Sequence, residues 1–286
     1  MIKKVSEIMD VNFLKVGPLD CVSAMKNIAL EKNINYFPIV ENNKTIGVVT
    51  YKELIQAHPN RIAVDAMTKN YSVITHEMSI WEVKSIFEDE SADLLIVEKN
   101  KKPVGLVTPS LLEKEFQKHF DLLTGLPKTD YILYQAYELI KRENEISIIF
   151  IDVNNFGIID KKYGHVNGDI VLKEIANTLN QHKPEKTYIC RFGGDEFVIL
   201  TPFQVEVTNK IAQELLDIIA TKTFCNGFKI SISAGISGGR RITGRISDSY
   251  STVLNLINIA SLACSQAKMN TDTIRIEISS ESMDIA

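Results

Sequence analysis

The first 115 residues of this chain carry one pattern twice, and that repetition leaves few folds open. Met9 and Gly47-Val48-Val49-Thr50 in the first copy correspond to Met67 and Gly105-Leu106-Val107-Thr108 in the second, 58 residues further on in each case. Between those marks each copy runs alike. A helical stretch (Cys21–Lys32; Ser79–Asp89) is followed by a strand (Tyr36–Val40; Leu94–Val97), a polar turn (Glu41–Lys44; Glu98–Lys102) and a strand led by glycine. That is a β-α-β-β unit used twice. Neither copy has a way to bury its apolar strands alone, so the two are expected to pack against each other.

The second half is organised around Cys190-Arg191-Phe192-Gly193-Gly194-Asp195-Glu196-Phe197-Val198-Ile199-Leu200. Apolar runs flank a Gly-Gly pair, which predicts a tight hairpin because both glycines can take positive φ. Two carboxylates then sit at the tip, and alternation along a strand sends adjacent side chains to opposite faces. Side-chain-free glycines would let a phosphate approach the backbone N–H groups. Ile146–Val153 is almost wholly apolar, a strand buried on both faces that carries a carboxylate, Asp152, near its end. An acid there, beside an acidic hairpin, suits a hard cation such as Mg²⁺.

Arg191-Phe192-Gly193-Gly194-Asp195-Glu196-Phe197 resembles the signature of GGDEF domains, diguanylate cyclases that condense two GTP into cyclic di-GMP. Asp121-Leu122-Leu123-Thr124-Gly125-Leu126-Pro127 is similar to the family's opening turn, and Tyr163-Gly164-His165 with Gly168-Asp169 to its Gly-His-x-x-Gly-Asp stretch. The resemblance implies that Asp152, the Val153 carbonyl, Asp195 and Glu196 serve a Mg²⁺ or Mn²⁺ site. It makes Asp195 and Glu196 catalytic and lays Gly193 and Gly194 against the phosphates. It also puts Phe156, Asp160 and Asp169 at the base, Asp169 accepting from the guanine N1–H and N2 amino group, and Lys268 at the triphosphate. A homodimer is implied, because each domain offers one nucleotide site and the reaction joins two nucleotides.

Departures from the family pattern erode the base and phosphate contacts. The stretch Asn154-Asn155-Phe156-Gly157-Ile158-Ile159-Asp160-Lys161 places Asn154 where the family has Asp, Gly157 where it has Lys, and Asp160 where it has Asn. An ionised Asp only accepts, whereas Asn also donates. Ser261, Ser265, Thr271 and Asp272 replace the Asp, Tyr, Gly and Arg of the C-terminal motif, so Lys268 is the one basic phosphate contact kept. The product-inhibition motif Arg-x-x-Asp reads Pro184-Glu185-Lys186-Thr187, and feedback by product at that place is not expected.

The repeat in turn resembles a tandem CBS pair, a module that binds adenosyl nucleotides in clefts between its halves. Gly47-Val48-Val49-Thr50-Tyr51-Lys52-Glu53 fits its pattern with Glu53 in the Asp place, where a carboxylate would accept ribose hydroxyls. The second copy has Leu111 there. Tyr36, Pro38, Thr50, Glu53 and Thr108 are the implied ligand residues, although Tyr36-Phe37-Pro38 also reads as core. The expected fold is α+β: a CBS pair over 1–115, a connecting helix over 116–123 and, over 124–286, a GGDEF domain resembling the nucleotidyl-cyclase and polymerase palm fold. Leu112, Phe116, Phe120 and Leu123 stand at helical spacing along that link. Patterning in the second half predicts helices over 128–142 and 166–182 and strands over 229–236 and 273–278, while Ser237–Tyr250, rich in Gly, Arg and Ser, reads as a mobile loop.

A net charge of −4 and a pI near 5.8 argue against a nucleic-acid surface. No apolar stretch approaches the roughly 20 residues that cross a bilayer, and the N-terminus is no signal peptide, so a cytoplasmic protein is expected. Its four cysteines are scattered, with no C-x-x-C pair, and read as apolar packing residues in a reducing compartment. Two functions stay open. One is a GGDEF nucleotidyl cyclase acting on GTP or another nucleoside triphosphate under an adenosyl-sensing CBS pair. The other is a catalytically degenerate nucleotide-binding receptor.

Overall fold

The structure is a computed structural model that describes residues 2–90, 92–239, 249–270 and 273–276. The chain forms two compact units, residues 2–117 and residues 118 onward.

In the first unit α1 (Val22–Lys32), β1 (Tyr36–Glu41), β2 (Lys44–Thr50), α2 (Tyr51–Gln56) and the short α3 (Ala63–Ala66) precede β3 (Ser72–Thr75), α4 (Ile80–Glu90), β4 (Leu95–Lys99), β5 (Lys102–Val107) and α5 (Pro109–Phe116). The hairpins β1–β2 and β4–β5 lie in separate sheets, the second extended by β3 parallel to β4. The first copy's counterpart of β3 is the single parallel bridge Val16 to Ile39.

The repeat is visible as reciprocal contacts. Asp10 bridges Leu106 while Val48 bridges Thr68, and Lys4 bridges Ser79 while Cys21 bridges Ile62. Each pair becomes the other when 58 is added to its first member and subtracted from its second. Val5 N–H donates to Met78 O just as Ala63 N–H donates to Asp20 O. The same exchange explains the marker residues: a Cβ on Gly105 would lie 2.5 Å from Met9 Sδ, and one on Gly47 2.3 Å from Met67 Sδ. The methionine that opens each copy therefore packs on the glycine strand of the other. Val48, Leu94, Ile96 and Leu106, with Phe13, Tyr36 and Tyr71 against them, form the shared core.

The predicted helix across 116–123 is not continuous. α5 stops at Phe116, one 3₁₀ turn (Gln117–His119) follows, and Asp121 then folds back to accept from Thr124 N–H (2.8 Å) and Oγ1 (2.7 Å). Gly125, at φ 71°, completes that turn. Leu112 and Phe116 are buried in the first unit, Phe116 edge-on to Trp81, and Leu123 packs into the core of the second. The four apolar residues thus do not share a helix face.

The second unit adds α6 (Thr129–Lys141), β6 (Ile146–Val153), α7 (Phe156–Tyr163), α8 (His165–His182), β7 (Tyr188–Gly193), β8 (Glu196–Thr201), α9 (Val205–Thr221), β9 (Ile232–Gly239), α10 (Ser249–Met269) and β10 (Ile274–Ile276). The sheet runs β10-β9-β6-β8-β7, antiparallel except for β9 with β10. β6, central and apolar on both sides, divides the core. Ile149, Ile151 and Val153 pack with α8 and α9; Ile148 and Phe150 pack with α6 and α10. Ile132, Leu133, Ala136, Leu139 and Ile140 give α6 its buried stripe at i, i+4 and i+7 spacing.

β9 differs from the expected strand at 229–236. It pairs with β6 over its whole length, from Ile232 opposite Val153 to Gly239 opposite Ile146. Ser237–Gly239, assigned by composition to a mobile loop, are therefore strand, and 240–248 lie outside the described residues. α10 crosses β9 so closely that a Cβ on Gly235 would stand 2.0 Å from Ala260 O. The expected strand end at 277–278 also lies outside the described residues. Cys190 and Cys264 are buried as expected, but Cys21 is exposed and Cys225 half-buried.

Candidate active site at the signature hairpin

β7 and β8 pair with Gly193 opposite Glu196, so the two turn residues are Gly194 and Asp195. This corrects the sequence reading of a Gly-Gly turn at positive φ: among the described glycines only Gly125, Gly164 and Gly227 are left-handed. Space is what Gly193 supplies, since a Cβ there would come within 2.9 Å of Glu196 Oε2. The pairing slips between Arg191 and Gly193, and Phe192, at the slip, packs its ring edge-on to Phe150 at 5.2 Å.

Arg191 fastens the hairpin to the opening turn. Its Nε and Nη2 donate to Gly194 O (3.0 and 2.6 Å), and Nη1 donates to Asp121 Oδ1 at 2.8 Å. Burial works against the Asp121 charge, but hydrogen bonds from Thr124 and Arg191 outweigh it and hold the carboxyl below its usual range. The sequence identified both motifs without showing that one guanidinium joins them.

Asp152 lies directly opposite Glu196 across β6–β8, and Val153 N–H donates to Asp195 O at 3.2 Å. Three acids and the end of β6 are thereby gathered at one place. Burial, with the Asp195 charge, raises the Asp152 pKa despite Lys268. Burial first, then the Asp152 and Asp195 charges, raises that of Glu196. From α10, Lys268 Nζ reaches within 2.5 Å of Asp152 Oδ1 and donates to Val153 O at 3.5 Å. The first contact is an ion pair, and no other group partners the buried Oδ1.

Among the described residues no three His, Cys, Asp or Glu side chains form a ready metal cluster. The donor set nevertheless suits a hard cation: two carboxylates and a carbonyl, all oxygen, with an ammonium already drawn between two of them.

The residues assigned to the base lie on α7 and α8. Gly168, buried in α8, faces Phe156 and Asp160; a Cβ there would meet Asp160 Oδ1 at 2.0 Å and Phe156 Cζ at 3.1 Å. Asp160 Oδ2 is 3.0 Å from the exposed His165 Nδ1, and Asp169 is exposed on α8, one residue past its first turn. Asn154 has a part that its sequence position did not reveal. Its Nδ2 donates to Ser231 Oγ at 3.1 Å and its Oδ1 accepts from Ser233 Oγ at 2.9 Å, tying β6 to β9.

In the first unit Tyr36 pairs with Thr50 and Pro38 with Val48. Tyr36 belongs partly to the shared core, and Pro38 is buried. The Glu53 carboxylate accepts from Thr50 N–H (3.1 Å) and from the Thr50 hydroxyl, so it caps α2. Thr108, the counterpart of Thr50, caps α5 by accepting from Leu111 N–H at 3.2 Å.

No helix among the described residues is long and apolar enough to cross a membrane. Residues 118–273 match the family "Diguanylate cyclase, GGDEF domain", and residues 5–60 and 62–115 each match the CBS domain. The chain is 28% identical over 127 residues to diguanylate cyclase DgcS of Shewanella oneidensis, covering 43% of each protein. It is 34% identical over 137 residues to diguanylate cyclase DgcP of Pseudomonas aeruginosa, covering 45% of this chain and 20% of that one. With diguanylate cyclase A of Treponema denticola it shares 23% identity over 239 residues, 79% of this chain and 58% of the relative. In each case the chain spans less than two thirds of the relative. The coiled-coil and GGDEF domain of DgcB from Caulobacter crescentus, solved with c-di-GMP, superposes with a TM-score of 0.50 at 17% identity over 59% of this chain and 90% of that one, a likeness of fold. By sequence and by fold, the chain belongs to the GGDEF family and carries a CBS-domain pair ahead of its GGDEF domain.

Proposed function

We propose that the C-terminal unit is a nucleotidyl cyclase that condenses two GTP into cyclic di-GMP as a homodimer, under control of an adenosyl nucleotide at the CBS pair. The observation that carries this reading is the gathering of Asp152, Asp195 and Glu196 at the hairpin mouth, beside Lys268. Asp152, Asp195 and the Val153 carbonyl would hold Mg²⁺ or Mn²⁺. Such an ion supplies neutralisation of phosphate charge and a lower pKa for the attacking 3′-hydroxyl. Glu196, its carboxyl raised by burial and by the neighbouring acids, is suited to take the hydroxyl proton. Gly193 and Gly194 let phosphate approach the hairpin backbone. Phe156 and Gly168 form the floor of the base site, and Asp169 accepts from guanine N1–H and N2. Two such units must face each other, because attack needs reacting atoms about 3–3.5 Å apart.

At the first unit, an adenosyl ribose would compete with Thr50 for the Glu53 carboxylate. A second reading, a receptor that binds nucleotide without turning it over, is favoured by Asp160. Its acceptor-only carboxylate, held beside Gly168 and His165, would repel guanine O6. Incubating the protein with Mg²⁺ and each nucleoside triphosphate, and resolving products by mass, tests the two. Cyclic di-GMP supports the cyclase; nucleotide binding with no product supports the receptor.

A further inference from the structure

We propose that Lys268 is a built-in counter-ion that occupies the cation position of the carboxylate cluster until a divalent ion displaces it toward the triphosphate. The inference rests on the reading above that Asp152, the Val153 carbonyl and Asp195 take a divalent cation. Two of those three groups are the oxygens that Lys268 Nζ touches, Asp152 Oδ1 at 2.5 Å and Val153 O at 3.5 Å. An ammonium there does part of what the metal would do. It offsets a half-buried carboxylate that faces Glu196 directly across the sheet, where like charges repel.

Ammonium and divalent ion cannot share that place. Both are positive, and Lys268, with its side chain 30% exposed, keeps a path to solvent on a flexible four-carbon stem. Its backbone is fixed, because the neighbouring Ala267 is buried and α10 is seated on β9. The head can therefore swing while the stem stays anchored. Metal entry would free a cation at the strand end that pairs with the signature hairpin, where a triphosphate laid against the hairpin needs one. Metal binding and phosphate recognition are in this way coupled through one side chain, as a positioning residue for the first and a direct contact for the second.

The coupling predicts effects of opposite sign, which a merely structural role would not produce. Mn²⁺ binding to the full chain without nucleotide is followed by electron paramagnetic resonance at pH 8. Lys268→Met is expected to tighten Mn²⁺ about tenfold or more, by removing a charge-assisted competitor. The same variant is expected to weaken GTP in the presence of saturating Mn²⁺. Lys268→Arg, which keeps the charge, stays near wild type for Mn²⁺, and Lys268→Gln repeats the measurement if Lys268→Met fails to fold. Mn²⁺ binding by the wild type that Asp195→Asn abolishes, but that Lys268→Met leaves unchanged or weakens, overturns this inference alone. No Mn²⁺ binding by wild type and Lys268→Met alike overturns the metal reading and this inference together.

Discussion

Replacing Arg191 by Met should loosen the signature hairpin. The guanidinium makes three charge-assisted hydrogen bonds, two to Gly194 O and one to Asp121 Oδ1, with its side chain 14% exposed. Hydrogen bonds to charged groups contribute about 1.5–3 kcal/mol each, but these share one donor group and do not add fully. A joint loss of about 3 kcal/mol is the reasonable expectation, or about two orders of magnitude in an opening equilibrium. Since the two units need not unfold together, the assay is hydrogen exchange resolved on peptides covering 188–201 and 119–128. Both should lose protection in Arg191→Met while peptides from residues 2–117 do not.

Asp121 gives the same substitution a pH signature. Its carboxyl is held below the usual range in the folded protein, so it contributes stability above the unfolded value of about 3.9 that is lost as pH falls through the folded value. Without Arg191 the folded value rises toward the unfolded one, and that part of the acid sensitivity should shrink. Equal protection of the hairpin in variant and wild type, or an unchanged acid profile, would refute the claim that Arg191 ties the two turns together.

Asp160→Asn restores a donor and removes a charge at the base site, and should shift the GTP-to-ATP affinity ratio toward GTP by about 1–3 kcal/mol; an unmoved ratio removes Asp160 as the determinant. Gly235→Ala inserts a Cβ 2.0 Å from Ala260 O, a backbone atom that cannot rotate away, so urea unfolding should show a loss of about 3 kcal/mol, at the upper end of overpacking costs. A loss below about 1 kcal/mol would mean that α10 yields readily. Glu53→Ala removes the Glu half of the capping box at the start of α2 and should cost the first unit about 0.3–1.5 kcal/mol, seen as faster exchange over 50–57, whereas unchanged exchange would show that half to be idle.

The sequence by itself determined the repeat, the order of elements and the signature motifs, because each rests on local or periodic information. A 58-residue offset, a buried apolar strand ending in Asp152 and the Arg-Phe-Gly-Gly-Asp-Glu run are visible without coordinates. Most boundaries of the second unit also followed, α6 and α8 to within a residue, since their apolar stripes and breakers are local. What tertiary structure decided was every property set by a partner distant in sequence. β9 continues to Gly239 because β6 offers it eight residues to pair with, and a glycine suits position 238, opposite Ser147, because a Cβ there would meet Ser147 Oγ at 2.4 Å. α5 ends at Phe116 because Asp121 is claimed by Thr124 and by Arg191, 70 positions away. Lys268 faces Asp152 only because α10 is laid across β6 and β9, and Asn154 becomes a bracket only where β9 brings Ser231 and Ser233 beside it. Local propensity specifies which residues stand near one another along an element; packing of distant elements specifies which charges meet, and the chemistry of this site depends on the second.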